Sequence, residues 1–244
     1  MTEAVNNIPI PPGTPLFGSD GRPIIEYSKY EVMLLGWRDT TVFVSSLLVR
    51  DEMEILSMTT LSESKLFEQI CKLVFSKISG EDRVRLWNND FNQFMKTCTI
   101  ADRDALLLGI LLATYEDNFE SELACSKCGE KNKITLDLAK CAKITPYPLP
   151  PSIDKAVDIN FTISLKRFPL VLDMKVPSLH DFKKILNYVD KTYGPSGSDA
   201  KRRSFTALLF PILVALRELK LMDPRDGSVK VSLDTSNNYH INDI

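Results

Sequence analysis

An α+β fold is predicted by three features of the sequence. The N-terminal half is mainly helical, a CxxCG β-hairpin stands in the middle, and a small mixed strand-and-helix part closes the chain. Apolar residues recur at helical spacing from Leu66 to about Ala113, then switch to a period of two on either side of Cys125–Gly129. Four prolines within residues 144–158 separate these two parts from the C-terminal one.

The elements follow in order. Residues 1–24, rich in Pro, Gly and Asn, read as a flexible arm. TVFVSSLLV is β-branched enough for a strand, and RDEMEILSM reads as a short helix. Leu66, Ile70, Leu73, Val74 and Ile78 define the next helix, with Ser62 as N-cap and Gly80 as stop. Glu81–Thr97 reads as helical on Val84, Trp87, Phe91, Phe94 and Met95. Thr99 caps the following helix, with Asp102 in its first turn, where a carboxylate complements the helix dipole. Its interior, ALLLGILLA, is apolar on nearly every side, which suits a core or a subunit boundary. FESELA and KITLDL flank CSKCGEKN as a hairpin. After the linker, INFTISL and LVLDMKV read as strands, and Ser178 caps a helix whose face is Phe182, Ile185, Leu186 and Val189. Ala200–Leu216 reads as a helix kinked at Pro211, and a hairpin across Pro224–Gly227 closes the fold. The expected division is therefore a 1–24 arm, a 25–143 helical domain ending in a zinc-ribbon-like hairpin, and a 144–158 linker. A 159–234 small α+β domain and a 235–244 polar tail follow.

Composition narrows the function. The chain has 244 residues, 25% charged and 44% apolar, enough to bury a substantial core. A formal net charge of −2 offers no global positive field for nucleic acid. The apolar runs Ala105–Ala113 and Ala207–Leu216 fall short of the roughly 18 residues a membrane span requires. The N-terminus has neither the basic nor the apolar region of a signal peptide, and the five cysteines, an odd number, read as thiols of a reducing compartment. Cys71 and Cys98, within helical patterns, are expected to be buried.

Cys125-x2-Cys128-Gly129 carries the strongest chemical signal. Two thiolates on a tight turn reach one tetrahedral ion, and the glycine lets turn amides face the sulfurs. Structural zinc takes four ligands; Cys141 or His180 would supply the further ones. The competing reading is a turn without metal, held by hairpin packing. Lys201-Arg202-Arg203 and Lys183-Lys184 read as solvated helix faces, and Asp102-Arg103-Asp104 as dipole complementarity with a local ion pair. His180 has no nucleophile or orienting partner in sequence, and GxSxG, Walker, GxGxxG and HExxH motifs are absent. No catalytic residue is assigned. Apolar helix surface at Leu106–Leu112 and Ala207–Leu216 exceeds the expected need of one small domain, which favours protein contact.

Residues 99–138 resemble the hub and hub-assembly proteins of T-even-type bacteriophage baseplates. The likeness rests on Asp102-Arg103, Leu106–Leu108, the Cys125/Cys128-Gly129 turn and Asp137-Leu138, standing in that order. VRDEMEIL (Val49–Leu56) and MKVPSLHDF (Met174–Phe182) extend it over residues 25–190. The resemblance implies a non-enzymatic protein of contractile-tail morphogenesis. It would act by contact with other baseplate or hub proteins, in the host cytoplasm during assembly and in the virion tail. The alternatives are a zinc- or thiol-dependent enzyme and a zinc-ribbon nucleic-acid-binding regulator. The acidic pI opposes the second.

Overall fold

The computed structural model describes residues 16–17, 23–24, 29–115, 118–137, 145–146, 148–165, 168–193, 210–223 and 225–234. Of the N-terminal arm, only the paired two-residue strands β1 (Leu16–Phe17) and β2 (Pro23–Ile24) fall within these, and the 235–244 tail lies outside them.

Alternation of apolar and polar residues sets the first hairpin. β3 (Lys29–Met33) pairs antiparallel with β4 (Thr41–Ser45), with Val32 opposite Val42 and Tyr30 opposite Val44. Val32, Val42 and Val44 therefore share one face, and all three are buried. α1 (Val49–Ser57) and α2 (Glu63–Lys77) follow. The 81–97 segment, expected as one helical stretch, is two helices. α3 (Gly80–Trp87) ends where Asn88 and Asn89 adopt φ of 51° and 55°, and α4 (Phe91–Thr97) restarts with the Asp90 side chain accepting from the Asn92 amide. Asparagine tolerates the left-handed region better than most residues, so the pair can break the helix. Gly80 opens α3 rather than stopping α2, because Ser79 supplies the cap.

α5 (Ile100–Tyr115) lies against β3 and β4. Leu106, Gly109, Ile110 and Leu112 are buried. Leu107, Leu108 and Leu111 are only partly buried, so the Leu106–Leu112 run is divided between this core and the helix surface. Trp37, Phe75, Trp87, Phe91 and Phe94 form an aromatic cluster beside it, with Trp87 and Phe94 edge-to-face at 5.3 Å.

α6 (Leu179–Tyr193) ties the C-terminal part to this core. Leu179 is fully buried in it and donates its amide to the Cys98 carbonyl at 2.9 Å, while Phe182 stacks on Phe67. The proline-rich connector is seated on the β3–β4 turn. The Arg38 guanidinium donates to the Pro150 and Ile153 carbonyls, and the Ala156 amide donates to the Gly36 carbonyl at 2.7 Å. Beyond it, β7 (Asn160–Leu165), β8 (Leu170–Lys175), β9 (Leu216–Met222) and β10 (Val229–Asp234) form an antiparallel sheet in the order β10-β9-β8-β7. α7 (Phe210–Ala215) leads directly into β9. Leu216 thus opens a strand instead of closing a helix, and residues 200–209 of the expected helix lie outside the described residues.

One device recurs at the helix starts. Ser79, Thr99 and Ser178 each offer a hydroxyl to the amide of an aspartate three residues on, whose carboxylate accepts the hydroxyl in return. Each carboxylate also holds a partner outside its own helix. Asp82 accepts the Phe43 amide at 2.9 Å, Asp102 the Gly36 amide at 2.7 Å, and Asp181 the Lys175 ammonium at 2.8 Å. Asp51, at the third position of α1, accepts the Leu48 amide at 2.7 Å and pairs with buried Lys77. Among the described residues these four are the buried carboxylates. The buried carboxylates thus fasten helix starts to a neighbouring strand, turn or helix.

Candidate functional site: the paired-cysteine hairpin

The hairpin is built from β5 (Asn118–Ala124) and β6 (Lys131–Asp137), in register from Asn118 opposite Asp137 to Ala124 opposite Lys131. Its turn closes tightly. The Cys125 amide donates to the Glu130 carbonyl at 2.8 Å, and the Gly129 amide donates to the Cys125 carbonyl at 2.8 Å. Gly129 takes φ of 73°, a conformation that side-chain-bearing residues rarely adopt.

That turn orients amides toward one sulfur. The Cys128 amide, then the Lys127 amide and the Cys128 thiol, hold the Cys125 thiol below its ordinary value. Hydrogen bonds to a thiolate favour it, and the thiolate is the metal-binding form. Cys125 is half-buried and Cys128 exposed, and both are free thiols. The pair suits a soft divalent metal such as zinc and supplies half of a closed four-ligand shell.

The other proposed ligands are placed differently. His180 stands in the first turn of α6, half-buried, where burial and then Lys184 push its pKa below the usual histidine value. Among the described residues no three His, Cys, Asp or Glu side chains gather into a group that could hold a metal, so His180 does not join the cysteine pair. Cys141 and Lys201-Arg202-Arg203 lie outside the described residues. Lys183 pairs with Glu68 at 2.9 Å, so that part of the expected solvated face is engaged between helices.

The remaining thiols are of another kind. Burial raises the Cys71 thiol to about 12 and the Cys98 thiol well above its ordinary value, as expected of packed, unreactive cysteines. Arg103 and Asp104 form the anticipated local ion pair at 2.6 Å.

The sequence reading missed an outward-facing apolar stripe. Val49, Met53 and Leu56, spaced i, i+4, i+7 on α1, are 74%, 67% and 72% exposed. The helix turns its polar side inward because Asp51 must reach Lys77, and Glu52 accepts from the Tyr115 hydroxyl at 2.8 Å. The spacing was present in the sequence, but nothing local reveals that a polar residue is the anchor. Among the described residues no helix is long and apolar enough to cross a membrane.

A protein-family model described as T4 bacteriophage base plate protein matches residues 28–201. The matched stretch begins just before β3 and runs past α6, so it includes the first core, the paired-cysteine hairpin, the connector and β7–β8. No curated protein and no solved structure matches the chain.

Proposed function

This chain belongs to the T4 bacteriophage base plate protein family and is a phage baseplate component, and from that premise we propose that it serves the central hub as a subunit or assembly factor. It acts by protein–protein contact and not by catalysis. The family match over residues 28–201 carries this reading. The exposed Val49–Met53–Leu56 stripe supports it, because contiguous apolar surface on a charged chain favours docking to another protein. Its partners are other baseplate and hub proteins, met in the host cytoplasm during assembly and retained in the tail. A tagged copy recovered from infected cells is expected to bring hub subunits with it in a fixed ratio, read by mass spectrometry. Recovery of the chain without any of them opposes the reading.

In this role the paired-cysteine hairpin is a folding clip. Structural zinc, with Cys141 as a third ligand, is the cofactor we assign to it, on the strength of the amide-lined Cys125 sulfur. Elemental analysis of purified chain is then expected to give stoichiometric zinc with the thiols protected from titration. Cys125→Ser with Cys128→Ser is expected to abolish the zinc and reduce solubility or tail maturation. Metal-free protein with freely titrating thiols would leave a turn held by packing alone.

A further inference from the structure

The C-terminal sheet has two unlike faces. Phe161, Ile163 and Leu165 of β7 stand opposite Met174, Leu172 and Leu170 of β8, which in turn stand opposite Leu216, Leu219 and Leu221 of β9. Opposed residues share a face, so one side of the sheet is apolar. The other side carries Thr162, Asp173, Glu218, Lys220 and Ser232, joined by hydrogen bonds and ion pairs.

Its two edges also differ. At β10 the ladder is broken by a register shift between Val229 and Val231, and Lys230 pairs with Asp223 at 2.9 Å. A bulge and a lysine are the usual devices that keep an edge from pairing with another chain. β7, the opposite edge among the described residues, has neither. All six of its residues are exposed, and Asn-Phe-Thr-Ile-Ser-Leu contains no charge and no proline. Such an edge presents open backbone donors and acceptors to an incoming strand.

We propose that the incoming strand is β7 of a second copy of this chain, paired antiparallel about a two-fold axis. Charge favours this occupant. Asp158 precedes the strand, and Lys166 and Arg167 follow it in sequence. An antiparallel pair brings the acidic end of each copy to the basic end of the other, whereas a parallel pair would set like charges together. Register is self-consistent as well. With Ile163 opposite its own counterpart, Phe161 faces Leu165 of the partner subunit and the apolar side continues across the axis. A one-residue slip would set Phe161 against Ser164. The pairing is independent of the hub reading, and its test uses purified protein alone.

Light scattering on the full chain at tens of micromolar should give twice the 27.6 kDa chain mass. Ile163→Lys sets two ammonium groups together on the axis and should weaken the dimer at least tenfold with unchanged circular dichroism. Val231→Lys, on the other edge, should leave it intact. Ile163→Cys, a gentler change, should form a disulfide-linked dimer through the introduced thiols under mild oxidation, since opposed side chains stand at bonding reach. A monomeric wild type overturns the proposal, as does a dimer indifferent to Ile163→Lys or an Ile163→Cys variant that does not cross-link. A monomer that uses β7 to bind a different subunit overturns it too.

Discussion

Replacing Asp102 with alanine is expected to cost about 3 kcal/mol of folding stability, measured by urea unfolding. The carboxylate is completely buried and accepts from the Gly36 amide at 2.7 Å, the Thr99 amide at 2.7 Å and the Thr99 hydroxyl at 2.8 Å. Alanine removes every one of these acceptors at once. The Gly36 amide is then buried without a partner, and the start of α5 keeps the Thr99 hydroxyl on the residue-102 amide but loses the carboxylate that accepts the Thr99 amide in return. The damage spreads beyond one helix, because Gly36 lies in the β3–β4 turn on which the connector is seated through the Ala156 amide. Gly36→Ala should injure the same joint from the other side, since its Cβ would meet Asp102 Oδ2 at 2.7 Å. Asparagine at 102 separates charge from shape. Burial pushes the Asp102 carboxyl up, the Gly36 and Thr99 hydrogen bonds pull it back, and the balance leaves it above the ordinary carboxylate value. The proton is thus held more tightly in the folded chain than in the unfolded one. The stability linked to it is full below the ordinary value and lost as pH rises through the folded value. Asp102→Asn should abolish that slope.

Gly109→Ala is expected to destabilise the chain by about 2–3 kcal/mol, even though alanine favours a helix by about 1 kcal/mol over glycine. A Cβ at this position would stand 2.2 Å from Val32 Cγ2 and 3.3 Å from Val44 Cγ2. Both valines are buried in the strand pair beneath α5, and branched side chains on a strand have little rotamer freedom with which to yield. Helix and sheet must therefore separate, losing contact along the whole of the α5 seam. Val32→Ala removes the obstructing methyl. The double variant is expected to be at least 1 kcal/mol more stable than the sum of the single losses, read by a double-mutant cycle in urea. Strict additivity would mean that the close approach at Gly109 is not what holds α5 to the hairpin.

These two positions show where the sequence was legible and where it was not. Helix α5 and its cap could be read because Thr99-x-x-Asp102 is a local signal, and α6 was readable from Ser178-x-x-Asp181 in the same way. The cysteine hairpin could be read because alternation and a glycine turn are both local. What Asp102 does for Gly36, 66 residues away in sequence, has no local trace. The α3–α4 break was written in Asn88-Asn89, but apolar spacing continues across it and masks it. The direction in which α1 faces depends on Lys77, a full helix further along the chain. Of the candidate site, the thiol pair and its turn were visible at once. Whether His180 approaches them depends on tertiary placement, and α6 carries it elsewhere.

Buried acidic residues secure the helices of this chain, and the proposed function gives its exposed α1 stripe to contact with other baseplate proteins. The most direct test of that contact is quantitative mass spectrometry of the tagged chain drawn from infected cells while tails are being built. Hub subunits are expected at a constant molar ratio to the chain across independent preparations, and at a lowered ratio when Met53→Asp is placed on the exposed α1 stripe. A chain that comes down alone, or with a ratio no greater than that of an unrelated tagged protein, would contradict it.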